Sequence, residues 1–233
     1  MSYGLTTGLF LLTVLSFPVF LGWALGRNQE NPSLRNQTLT GLVIWMLLTA
    51  AIGQSGLASD FTQTPPRFLI VLGVSVLVTT ILAFSPFGGH LLQGAGIRGI
   101  VAYQAFRIPV ELVLFLLYKL GHTPVQMTFE GRNYDILVGI AGLVLAILYR
   151  KRDIPRTVLW LWNIAGLGLL VNIVTIAVLS TPVSWRLFHN DPANTIVTGF
   201  PYIWLPAVLV QAALLGHLLV FRALLTGRTG EKP

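Results

Sequence analysis

Charge is nearly absent from seven long stretches of this chain and crowded into the short gaps between them. A helix needs roughly 20 apolar residues to cross the hydrocarbon core of a bilayer. With 54% of residues hydrophobic and 10% charged, the chain has the profile of a membrane-embedded protein, with no room for a soluble module. The expected fold class is therefore all-α, a polytopic bundle of seven transmembrane helices forming one domain over residues 1–233.

The spans are expected at about Leu5–Leu25, Leu39–Ala58, Arg67–Phe84, Arg98–Lys119, Ile136–Tyr149, Thr157–Leu179 and Phe200–Leu225. Pro18 is a kink candidate in the first. The fifth is short unless the preceding loop extends it. The polar stretch RNQENPSLRNQ reads as a turn after span one, and SPFGGH as the end of span three, with His90 in a Gly-rich turn.

Seven spans put the termini on opposite sides. One side then holds Arg27, Arg35, Arg98, Arg150, Lys151, Arg152, Arg156, Arg222, Arg228 and Lys232, and the other Arg67, Lys119, Arg132 and Arg186. Basic residues favour the cytoplasmic side, so the N-terminus is expected outside and the C-terminus in the cytoplasm. The same reasoning assigns the net charge of +7 to membrane topology rather than to nucleic acid. Membrane lipids are the expected surroundings. The N-terminus has no basic region of the signal-peptide kind.

The fourth span carries Gln104, Arg107 and Glu111 at mid-depth, where a charge costs about 2.5–3.5 kcal/mol even on lenient insertion scales. At about 100° per residue these three share one stripe, with Tyr103, Phe115 and Tyr118. Arg107 and Glu111 are spaced to pair within the helix. Pro109 leaves the carbonyl of Ala105 without its helical donor, a vacancy for Arg107 or a water. Glu111 is the one acidic residue inside a span, hence the one candidate base or proton carrier there. Gln211, near the middle of the last span, is a further candidate for a substrate-binding site with these three. Gln54, Asn163, Asn172 and His217 are possible members of a polar path, or simple interhelical hydrogen-bonding groups. In the loop MTFEGRNYD, Glu130, Arg132, Asn133 and Asp135 surround Gly131 in turn chemistry, and are read either as a lid or as a solvated turn, with Asn133 or Asp135 capping the next helix.

Several activities lack their residues. There is no cysteine, which excludes disulfides, thiolate metal sites and a thiol nucleophile. The last span has no lysine for a retinal Schiff base, and no histidine pairing supports haem. No ligand spacing supports a metal, and no cofactor is expected. The GxSxG, Walker and HExxH signatures are absent.

The phrases MTFEGRNYDILVGI and FPYIWLPAVLVQAALLGHLL resemble an uncharacterised family of small bacterial multispan membrane proteins. The likeness covers span four onward and implies a bacterial cytoplasmic (inner) membrane location, with no activity to carry over. On the residues themselves the expected function is a small transporter or permease. Arg107 would hold a small polar or anionic substrate, with Glu111 as protonatable partner and Gln104 adding hydrogen bonds. The alternatives are a membrane enzyme acting on a lipid or polyprenyl substrate, with Glu111 or Asp135 as base, or a non-catalytic sensor or partner subunit.

Overall fold

Apolar runs free of charge can satisfy their backbone in lipid only by hydrogen bonding within the segment, which makes them helices. The computed structural model describes residues 2–27 and 32–227, and contains helices and loops but no β-strand among them. Arg228 and Lys232, which the sequence assigns to the cytoplasmic side, lie outside the described residues.

Eight α-helices run in order along the described residues. They are α1 (Tyr3–Arg27), α2 (Pro32–Gln54), α3 (Arg67–Phe84), α4 (Pro86–Tyr103), α5 (Arg107–Lys119), α6 (Ile136–Leu148), α7 (Arg156–Leu179) and α8 (Val210–Thr226). The 3-10 turn Gln104–Phe106 joins α4 to α5, so that helical structure runs from Pro86 to Lys119 with one break inside α4. A π-helical turn, Leu205–Leu209, leads into α8. Six of the resulting rods are long and apolar enough to cross a membrane, and α6 is a shorter apolar helix. The chain is a multi-pass membrane protein.

Two boundaries differ from the sequence expectation. Helix α2 begins at Pro32, several residues before Leu39, and absorbs much of the polar stretch after α1. More importantly, SPFGGH does not open a loop. Residues 86–95 are helical, His90 included, and the break falls at Gly96, with φ 66° and ψ 163°. Only glycine occupies that region without large strain. The stretch 97–119 beyond it is about 34 Å of helix at 1.5 Å per residue, one membrane thickness. The preceding arm packs closely because it is glycine-rich: a Cβ at Gly94 would lie 1.9 Å from the carbonyl oxygen of Ala24, and one at Gly88 2.1 Å from that of Ala83.

At one end of the bundle, arginines bridge neighbouring helix ends. There Arg98 donates to the carbonyl of Arg150 (2.5 Å), and Arg156 to that of Leu224 (2.6 Å). Arg222 donates to the carbonyls of Ala83 (2.8 Å) and Ser85 (2.6 Å) at the C-terminus of α3. A cation there meets the unsatisfied carbonyls and the negative end of the helix dipole. The opposite end, the loop end, carries the two long connections 120–135 and 180–204. One continuous apolar core, drawn from helices α1 to α8, lies between the ends.

Candidate functional site

Helix α6 has 13 residues, about 20 Å, and cannot span the bilayer alone. The rest of its path is filled by the preceding loop, which folds down into the bundle. Thr123, Gln126, Thr128 and Asn133 are all buried. Side chains tie the loop to α7: Gln126 Nε2 donates to Ser180 Oγ (2.9 Å), and Asn172 Nδ2 to the carbonyl of Arg132 (2.9 Å). The turn at Gly131 lies directly on the 3-10 turn Val125–Met127, so that a Cβ there would sit 2.3 Å from the carbonyl oxygen of Val125.

This descent brings Asp135, at the start of α6, to Arg107, at the start of α5. The residues between Arg107 and Lys119 rise about 18 Å along the helix axis, so the meeting point lies deep below the loop end. Arg107 Nη1 is 3.1 Å from Asp135 Oδ1. Asn133 Nδ2 donates to Glu111 Oε1 (2.5 Å) and to the carbonyl of Met127 (3.1 Å), while its Oδ1 accepts from the amide of Asp135 (3.1 Å). The relative exposures are 1% for Arg107 and Glu111, 0% for Asn133 and 7% for Asp135, which makes this a charged cluster sealed from solvent.

The ion pair is not the one the i, i+4 spacing suggests. Glu111 is engaged by Asn133, and the guanidinium turns across the interface to Asp135. Nor does Arg107 serve the backbone beside Pro109: the chain tightens instead into the 3-10 turn Gln104–Phe106, one turn before the proline. Asp135 occupies the N-cap position of α6 without making a side-chain cap, because its carboxylate is spent on Arg107.

Not every bond of the cluster is made. Arg107 Nε and Nη2 and Glu111 Oε2 are buried without a hydrogen-bond partner. Arg107, Glu111 and Asp135 border a cavity of about 80 Å³, whose remaining wall is largely apolar: Phe106 from the 3-10 turn, Val110 from α5, Ile173 and Val174 from α7, and Leu209 and Ala213 on the last helix. Unpaired charged groups in so dry a setting are costly, and each calls for an explanation such as water, an ion or a ligand.

The other sequence candidates lie apart. Gln104 is fully buried against α8, where its Nε2 makes a long 3.5 Å contact with the carbonyl of Ala213 and occupies the space that a Cβ on Gly216 would fill. Tyr103 leaves the stripe as well, stacking on Phe20 of α1. Gln211 accepts from Thr79 Oγ1 (3.0 Å) and donates to the carbonyl of Pro206 (2.9 Å), on a different cavity. Of the loop residues, only Asn133 and Asp135 reach the cluster. Glu130 pairs at the surface with Lys119 (2.8 Å), and Arg132 lies over the ring of Phe188. His217 and Asn163 hold one another through Nδ1 and Oδ1 at 2.8 Å, Asn172 serves the loop, and Gln54 is exposed. Sequence reasoning reads Asp135 as a lid or cap residue. The signal that it lies deep is nonetheless present: a 13-residue apolar helix must begin inside the layer.

A second space, of about 490 Å³, lies between α2 and α3, which hardly touch one another. Its floor is α1 and the π-helical turn, and no charged residue borders it. Side chains bond to carbonyls of the π turn: Trp45 Nε1 donates to the carbonyl of Ala207 (3.0 Å) and Gln211 Nε2 to that of Pro206 (2.9 Å).

Residues 64–225 match the family model of a domain of unknown function, DUF8737. The chain belongs to that family, and the match takes in α3 as well as everything from the fourth span on. No curated protein and no solved structure matches the chain.

Proposed function

We propose that this family member is a small carrier of the bacterial cytoplasmic membrane, with its solute site at Arg107 and Glu111. The loop end would face outward and the basic end the cytoplasm, as the distribution of arginines favours. The observation that carries the reading is the unpartnered guanidinium edge and carboxylate oxygen on a partly open cavity inside the bundle. Asp135 fixes and balances Arg107. Asn133 fixes one oxygen of Glu111 and leaves the other free to take a solute hydrogen bond or a proton. Ionisable groups inside a bundle commonly mark substrate or proton paths.

A lipid-processing enzyme fits less well. It needs a carboxylate at a lateral opening, and the space between α2 and α3 has none on its walls. The reading is tested in proteoliposomes carrying an internal pH dye, challenged with a panel of small acids, amines, sugars and inorganic ions. A solute-dependent pH change is expected, lost on Glu111→Gln and Arg107→Lys. A panel that moves nothing, or full flux in both variants, removes the carrier.

A further inference from the structure

Which nitrogens of Arg107 are free carries chemical information. Nη1 is spent on Asp135, and the unpartnered atoms are Nε and Nη2. These two N–H groups lie along the same side of the planar guanidinium and point in parallel. Such an edge matches two oxygens held on one atom, as in a carboxylate or a phosphate, and is poorly matched to a single acceptor.

Charge and size narrow the choice. Asp135 already balances Arg107, and Glu111 stands beside them, so a phosphate dianion would enter against two carboxyl groups. A carboxyl group brings at most one charge. One proton shared with Glu111 Oε2 turns that contact into a hydrogen bond rather than a repulsion. At roughly 10–15 Å³ per water, a cavity of about 80 Å³ has room for a handful of heavy atoms. Beyond the charged cluster its wall is largely apolar, with Phe106, Ile173, Val174 and Leu209.

Resting on the carrier reading of the same site, we infer that its ligand is a monocarboxylic acid with a short apolar body, its carboxyl group on the Nε–Nη2 edge of Arg107 and against Glu111. The acid arrives either free from water or, as a medium-chain acid, from the bilayer.

The test is equilibrium binding of radiolabelled butyrate to the full chain purified in detergent, with butyramide, inorganic phosphate and decanoate as competitors. Saturable binding is expected, displaced by unlabelled butyrate and not by butyramide or phosphate. Displacement by decanoate assigns the acid to the bilayer, and its failure assigns it to water. Arg107→Lys, which keeps the charge and loses the paired N–H edge, should weaken binding at least tenfold. Ala177→Phe, on the cavity wall and away from the ion pair, should abolish it, and decides the matter if the lysine variant does not fold. Absence of saturable binding, displacement by phosphate or butyramide as readily as by butyrate, or butyrate binding by Ala177→Phe as tight as in the unaltered chain overturns the inference. Carboxylate binding without flux in vesicles would remove the carrier and leave the ligand. Flux of another solute without carboxylate binding would do the reverse.

Discussion

The space beside Arg107 and the space between α2 and α3 take opposite faces of the Leu205–Thr226 helix. The second is about 490 Å³ and the first about 80 Å³, yet their polar groups behave in the reverse order. In the large space Thr79, Gln211 and Trp45 are engaged with one another or with carbonyls of the π turn. In the small one an arginine edge and a carboxylate oxygen are left over. Volume and unmet polar demand therefore do not go together in this bundle. Lipid chains can fill an apolar gap between helices at little cost, whereas a buried charge without a partner needs a reason.

The largest effect that separates the two spaces should come from Asp135→Ala. Removing one member of a buried ion pair leaves the other charge uncompensated, at about 3–5 kcal/mol. Gln211→Leu, in the large space, removes interhelical hydrogen bonds that average roughly 0.6 kcal/mol in membranes. Unfolding of each variant in mixed micelles by titrated denaturing detergent reads both numbers. Equal losses would mean that the charged cluster is no more demanding than an ordinary amide contact.

Glycines sharpen the contrast at the next level down. Gly131→Ala should cost about 1–3 kcal/mol as an overpacked position, since the new methyl would meet the backbone of Val125 and Gln126. It should also loosen the loop that delivers Asn133 and Asp135. Gly41→Ala, on the wall of the large space, has nothing within 4 Å and should be neutral or stabilising by up to about 1 kcal/mol. The same unfolding assay orders them, and a Gly131→Ala protein as stable as the parent would show that the loop has freedom to move aside.

How far the sequence alone reaches differs between the bundle and the site. The seven apolar runs are legible because lipid leaves the backbone no alternative to helix. Arg107 and Glu111 are legible because charge at that depth is rare. The identity of the arginine's partner is not, since Asp135 is 28 residues away and meets it only when the loop folds inward. Gln104 departs from the expected stripe because the 3-10 turn before Pro109 changes the angular step on which that stripe depends. The arm 86–95 is hidden by its glycines. In sequence they resemble a loop, but Gly88 and Gly94 serve close packing and only Gly96 breaks the helix. Composition cannot distinguish these uses, because both ask only for a missing Cβ.

The same pair of residue types at the surface provides the small end of the scale. In the connection before α3, Asp60 lies 3.9 Å from Arg67, with both side chains partly exposed. Its carboxylate is held below the usual Asp range, first by the hydroxyl of Thr62 (2.6 Å), then by the Thr62 amide (3.1 Å), and less by Arg67. A lowered folded-state pKa stabilises the fold at pH above the unfolded value, and that contribution is lost as pH falls through the folded value. Thr62→Val, which removes the hydroxyl and keeps the amide, should therefore raise the Asp60 pKa toward its ordinary position, and Arg67→Gln should raise it less, as read from carboxyl carbon shifts in an NMR titration. Neither change should alter stability measurably at neutral pH, because exposed pairs contribute little. If Arg67→Gln moved the titration further than Thr62→Val, Coulomb attraction would outweigh local hydrogen bonding even in water. Burial would then account for less of the contrast with Arg107 and Asp135.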